Sequence, residues 1–191
     1  METKAWHFIG KTLRDGRPIP PVGGTLKYNG KLKLCRYGLH ASLTPYDALA
    51  YAPGPTLCLV ECGGEIIYGE DKLVCAERTI LKQFDITELL QDYARWCALC
   101  VVHLWNCPSV VLEFLKTGNV ALAKRAKVAA WDAAWARADG AVAAWAAARD
   151  AADGALQAAR SARDAAWAAR SFVDAGISAE FNNRIYKLFE V

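Results

Sequence analysis

Long apolar runs are missing from this chain, and none of its segments reaches the roughly 20 residues that a membrane-spanning helix needs. No charged-then-apolar leader opens it, so the cytoplasm is the expected compartment. Charge of one sign is also scarce. The formal net charge is +3, with Lys and Arg interleaved among Asp and Glu instead of gathered into a stripe. That argues against nucleic acid as a partner, the nearest thing to a basic cluster being Lys27, Lys31, Lys33 and Arg36. Missing too are a phosphate-binding loop, a dinucleotide fingerprint, a nucleophile elbow and any His-x-x-x-His spacing. Imidazoles are few: His7, His40 and His103. What remains is a folded composition, 54% hydrophobic and 23% charged. Seven cysteines without a secretory leader read as reduced thiols, since an odd number cannot all pair within one chain.

Two grammars divide the chain. Up to about residue 84, β-branched, aromatic and Cys residues gather in TKAWHFI (3–9), LKLC (32–35), TLCLVEC (56–62) and KLVCAERTILKQF (72–84). Gly and Pro separate these stretches, as in GRPIPPVGG (16–24) and the GG at 63–64, which predicts a small β-sheet with turns. One helix interrupts it over TPYDALAYA, with Thr44 as its cap, Pro45 at its first position, and Pro53-Gly54 as its stop. From Asp85 the apolar period changes. Ile86, Leu89, Leu90, Tyr93, Trp96, Cys97 and Cys100 recur at helical spacing, and Pro108 opens a second helix that Gly118 closes. The expectation is an α+β protein: a head at 1–84, a helical connector packed on it at 85–118, and an Ala-rich helical arm at 119–191.

The arm carries its own repeat. ADGAVAAW begins at Ala138 and ADGALQAA at Ala152, and WDAAW (131–135) echoes RDAAW (163–167). Alternating steps of three and four pick out an apolar seam that includes Val128, Trp131, Trp135, Val142, Trp145 and Leu156. Gly140 and Gly154 are either close-approach points or breaks between shorter helices, since each costs ~1 kcal/mol against Ala within a helix. An intramolecular hairpin and an oligomerising or partner-binding coil both fit. The coil is favoured because an isolated Ala-rich helix buries too little to be stable. Its interface residues are then Trp131, Trp135, Val142, Trp145, Leu156 and Trp167.

Cys97, Cys100, His103 and Cys107 have the spacing of a zinc knuckle. They lie in an apolar helical pattern, however, where small zinc sites need wrapping loops, so no metal is expected and His103 is read as a core-facing helix residue. Glu61 and Glu65 flank Cys62-Gly63-Gly64, and a turn there would bring the two carboxylates together. Asp71, Lys72, Glu77 and Arg78 read as a solvated, alternately charged strand edge. RYGLHASLTPYDALAYAPG (36–54) is a compact strand-to-helix corner in which Gly38 lets the backbone approach a ligand or another strand.

Taken in order, CRYGLHAS, DALAYAPG, LCLVECGGEI, DYARWCAL and the Ala-Arg-Asp-Trp tail resemble a family of bacteriophage and prophage proteins. That resemblance covers nearly the whole chain and implies an accessory protein acting in the bacterial cytoplasm. Residues 4 to 62 are also similar, more weakly, to ADP-ribosyltransferase folds. That similarity implies His7 as the histidine gripping the NAD ribose, Tyr51 as the ring stacking on nicotinamide, and Tyr37 or His40 lining the cleft, with Glu77 the nearest candidate for the acid of such a site. His7 is not followed by the Gly-Ser or Gly-Thr pair of those enzymes, and Glu77 stands in no catalytic motif.

The first expectation is therefore a non-enzymatic protein without a cofactor. It would bind a host or phage protein to block a defence system, in the manner of an anti-CRISPR protein, with self-association through the arm as a further possibility. The alternative is an NAD-using transferase with its cleft at His7, Tyr37, His40, Tyr51 and Glu77. On the first reading Tyr51 is expected to close over the sheet, and on the alternative it faces the cleft with His40.

Overall fold

In the computed structural model the chain divides into two units, Met1–Ile86 with Asn182–Val191, and Thr87–Phe181. The structure describes all residues except 1, 14–15, 136–140, 154–157 and 171–175, and gives no side-chain detail for 150–153. Gly140, Gly154 and Leu156 thus lie outside the described residues, as does the question of a break at either glycine. An N-terminal antiparallel sheet followed by helices makes the protein α+β.

The first unit is built on two long strands. The alternating residues of TKAWHFI form β1 (Thr3–Ile9), which pairs antiparallel with β4 (Thr56–Tyr68); β4 in turn pairs antiparallel with β5 (Leu73–Asp85). The other edge of β5 carries two short strands end to end, β2 (Thr25–Lys27) at Glu77–Thr79 and β3 (Leu39–Ala41) at Leu73–Cys75. Ser42, just past β3, exchanges both backbone hydrogen bonds with Trp6, at 2.7 and 2.9 Å. The sheet therefore rolls up until β3 meets β1.

Two sequence expectations change here. LKLC (32–35) is not a strand; it enters a tight turn in which Lys33 and Tyr37 bridge, and the strand follows at Leu39–Ala41. Gly63-Gly64 does not end a strand either. Gly64 adopts a left-handed conformation (φ 68°) and places a bulge inside β4, letting the strand run on to Tyr68. Glu61 and Glu65 consequently lie along one strand and are not brought together by a turn.

The inner face packs Ala5, Ile9, Ala41, Cys58, Val60, Cys62, Leu73, Cys75 and Ile80 into one apolar cluster. Against the rest of the sheet lies the end of the C-terminal helix. Phe189, fully buried, meets Trp6 edge-on at 4.9 Å and Phe84 at 4.8 Å, while Lys82 donates to its carbonyl. The expected helix α1 (Pro45–Leu49) forms with its expected cap. Thr44 Oγ1 accepts from Asp47 N at 3.2 Å, and Pro45 stands at the first position.

The second unit is helical: α2 (Thr87–Cys100), α3 (Ser109–Thr117), α4 (Val120–Trp135), α5 (Ala141–Asp153), α6 (Ala158–Arg170) and the start of α7 (Gly176–Phe189). Gly118 closes α3 by donating its N–H to Phe114 O at 2.8 Å, and Asn119 Oδ1 caps α4 by accepting from Ala121 N at 3.0 Å. α4 packs on α5, α5 on α6, and α2 on both α5 and α6, so the Ala-rich segments fold back on one another. The core between them is alanine: Ala123, Ala126 and Ala130 on α4, Ala143, Ala144, Ala146 and Ala147 on α5, and Ala158, Ala162, Ala165 and Ala169 on α6. Side chains this small let helix axes approach closely and leave no room at the seam for indoles. Among the large residues buried in this unit are Tyr93, Phe114 and Phe181; the Tyr93 hydroxyl donates to Ile177 O at 2.9 Å and its ring lies 4.8 Å from Phe181.

Candidate functional sites

The strand-to-helix corner assembles several of the residues singled out in the sequence. Gly38 has φ 112°, and a Cβ there would stand 2.4 Å from Val74 Cγ2, so this glycine serves close packing of the β3 entry on β5. Just upstream Cys35 holds a left-handed backbone (φ 64°), rare for a residue with a side chain, and its N–H donates to His40 Nε2 at 3.0 Å. That bond requires an unprotonated Nε2 on His40.

Tyr51 does not close over the sheet. It is 50% exposed, its hydroxyl donates to Asp71 Oδ2, and Lys72 Nζ lies 2.7 Å from that hydroxyl and 4.1 Å from the ring centre. The hydrogen bond to Asp71 raises the Tyr51 phenol, and the bond to Tyr51 raises Lys72. Both keep their protons at neutral pH, so neither serves as a general base. Tyr37 is exposed, and Glu77 is engaged with Lys27 at 2.9 Å on the β2–β5 edge. Of the five expected cleft residues, His7 and His40 are electrostatic neighbours, whereas Tyr51 and Glu77 are held by other partners.

On the inner side of the sheet lies a group whose burial the sequence did not reveal. Arg78, expected on a solvated edge, is 6% exposed and stands in register beside Cys62, with Leu26 of β2 on its other side. Its guanidinium donates through Nη1 to His40 O. Burial pulls Arg78 below its ordinary value, while the thiols Cys75, Cys62 and Cys58 act on it electrostatically. Half-buried His7 is pushed well below the usual imidazole range, first by burial and then by Arg78 and His40, so it is neutral at pH 7. Cys58 is raised to about 11 by burial. The neighbouring Cys62 and Cys75 thiols act on one another, raising Cys62 and lowering Cys75, and Cys75 Sγ donates to Leu39 O at 3.3 Å.

The helical unit offers a different surface. Positions 128, 131 and 135 share one face of α4, and Val128 (60% exposed), Trp131 (46%) and Trp135 (79%) all project outward. The Trp131 ring centre lies 6.1 Å from that of Trp135 and 5.1 Å from that of Trp145 on α5, and Val142 on α5 is exposed as well. Lys124 and Arg125, also exposed, lie one turn away on α4. Trp145 is backed by Arg149, whose guanidinium sits 4.9 Å from the ring centre and pairs with Asp164 of α6 at 2.9 Å. Trp167 on α6 is exposed too.

The knuckle-like spacing resolves into separate places. Cys97 is buried in α2, Cys100 is the last residue of that helix, and Cys107 lies before α3. His103, expected in the core, is exposed in a short 3-10 turn (Val102–Leu104) because α2 ends first. Among the described residues no group of three His, Cys, Asp or Glu converges as metal ligands.

Residues 3–92 match the model of a family described as Domain of unknown function (DUF7666). The match takes in the five described strands and α1 and runs into α2, so it spans the corner and Arg78 but not the tryptophan face. No curated protein and no solved structure matches the chain. No described helix is long and apolar enough to cross a membrane.

Proposed function

We propose that the protein acts by binding another protein through the tryptophan face of α4 and α5, and that it is not an enzyme. The observation that carries this reading is the exposure of Trp131 and Trp135 beside Val128 and Val142, on helices whose inner faces are already filled by alanine. Indoles held on a rigid helical surface bury large area at little cost in side-chain freedom, and they are enriched among the residues that anchor interfaces. Lys124 and Arg125 at the rim favour a partner whose contact surface is apolar at its centre and acidic at its edge. The resemblance to phage and prophage proteins makes a host defence component, encountered in the bacterial cytoplasm, the partner class we favour.

Trp135→Asp and Trp131→Asp should leave the fold intact, since both positions face outward, and should remove proteins that co-purify with the wild-type chain from bacterial lysate. Variants that retain the same co-purifying proteins would overturn the reading. The alternative, an NAD-using transferase, has in its favour the proximity of His7 and His40. An NAD-dependent rise in melting temperature, lost in His7→Gln, would support it against the interaction reading.

A further inference from the structure

Arg78 is a cation in an apolar place. It is 6% exposed, and the one side-chain hydrogen bond of its guanidinium among the described residues goes to His40 O. A guanidinium carries five N–H donors, and burying it without a compensating charge is expensive. No described carboxylate pairs with it: Glu77, its neighbour in sequence, is bound to Lys27 on the β2–β5 edge. Of the thiols beside it, Cys62 and Cys58 are shifted toward the protonated form, and Cys75, though shifted toward the thiolate, donates to Leu39 O at 3.3 Å. His7, the remaining titratable neighbour, is neutral. The guanidinium thus has donors to spare beyond its bond to His40 O. It is covered on the β2 side by a strand only three residues long, whose Thr25 and Lys27 are exposed.

We propose that Arg78 anchors a binding site for a small oxyanion, a carboxylate or a phosphate, on the inner face of the sheet beside His7 and Cys62. The planar fork of a guanidinium matches either group with two parallel hydrogen bonds, which an ammonium would not do. The site is independent of the tryptophan face and of its partner.

The test is the melting temperature of the sheet unit in the full chain, read from hydrogen exchange of its β1 amides, at constant ionic strength, with chloride replaced stepwise by acetate or by inorganic phosphate. A ligand that binds only the folded state raises the melting temperature saturably, here by a few degrees above the chloride series. Arg78→Met should abolish that rise and, having lost the buried charge, should melt no lower than wild type in chloride. Arg78→Lys, which keeps the charge but not the fork, should weaken the rise. A rise with acetate alone or phosphate alone identifies the group bound. Should Arg78→Met fail to fold, saturable heat on titrating phosphate or acetate into wild type and its weakening in Arg78→Lys give the same answer. The proposal is overturned if neither oxyanion exceeds chloride in wild type, or if the rise survives in Arg78→Met.

Discussion

Replacing Phe189 by Ala should open the sheet unit far more than a change in the last turn of a helix ordinarily does. Phe189 is fully buried, with one ring edge-on to Trp6 at 4.9 Å and another contact of the same kind to Phe84 at 4.8 Å. Truncating a core Phe costs ~3–5 kcal/mol, and loss of the two edge-to-face pairs places this site toward the upper end. Phe189→Leu, which keeps most of the apolar volume and loses the ring edges, should cost about 1–2 kcal/mol. Since the chain has two units, a single global melt mixes two transitions, and hydrogen exchange of the β1 amides reads the sheet unit directly. A loss below about 1 kcal/mol in Phe189→Ala would show that the C-terminal segment does not hold the sheet. By the same reasoning, a chain cut after Gly118 lacks Tyr186 and Phe189 and should not keep a stable sheet.

Gly38→Ala should destabilise the sheet unit by about 3 kcal/mol in denaturant titration, since a Cβ at φ 112° would also stand 2.4 Å from Val74 Cγ2. Tyr51→Ala should cost about 1 kcal/mol or less, because a half-exposed ring loses only a surface hydrogen bond and its contact with Lys72; a larger loss would place Tyr51 in the core after all. His7 is held below its unfolded value, so the unfolded chain binds a proton that the folded one resists. Stability should be full above about pH 6.5 and fall by up to ~1.4 kcal/mol per pH unit as the pH drops toward the folded pKa. His7→Gln should flatten that slope in denaturant midpoints measured across the range, and an unchanged slope would assign it to another group.

The elements most legible in the sequence were those set by local chemistry. Thr44 and Pro45 started α1, Gly118 ended α3, and the alternation of TKAWHFI gave β1 its limits, because each rests on preferences of neighbouring residues alone. Pairing over distance was not legible. The bulge at Gly64 and the slip in alternation between Cys75 and Arg78 both depend on β4 lying against β5, so a strict period of two left Arg78 looking like one charge among several on a wet edge. A period of 3.5 likewise marked the tryptophans as the seam of the helical region. The helices met instead along alanines, which pack closer, and the indoles turned outward. Residues 182–191 share the composition of a helical arm, and only the ring contacts of Tyr186 and Phe189 with Trp6 show that they belong with the sheet.

The most direct measurement of the interaction account is hydroxyl-radical footprinting of the seven tryptophans, with the chain alone and after mixing into bacterial lysate. Trp6, 4% exposed, is the internal reference and should stay slow in both conditions. Alone, Trp135 and Trp131 should oxidise quickly, in keeping with exposures of 79% and 46%. In lysate the account predicts that both become protected while Trp6 is unchanged. Equal oxidation of Trp131 and Trp135 in the two conditions would contradict it.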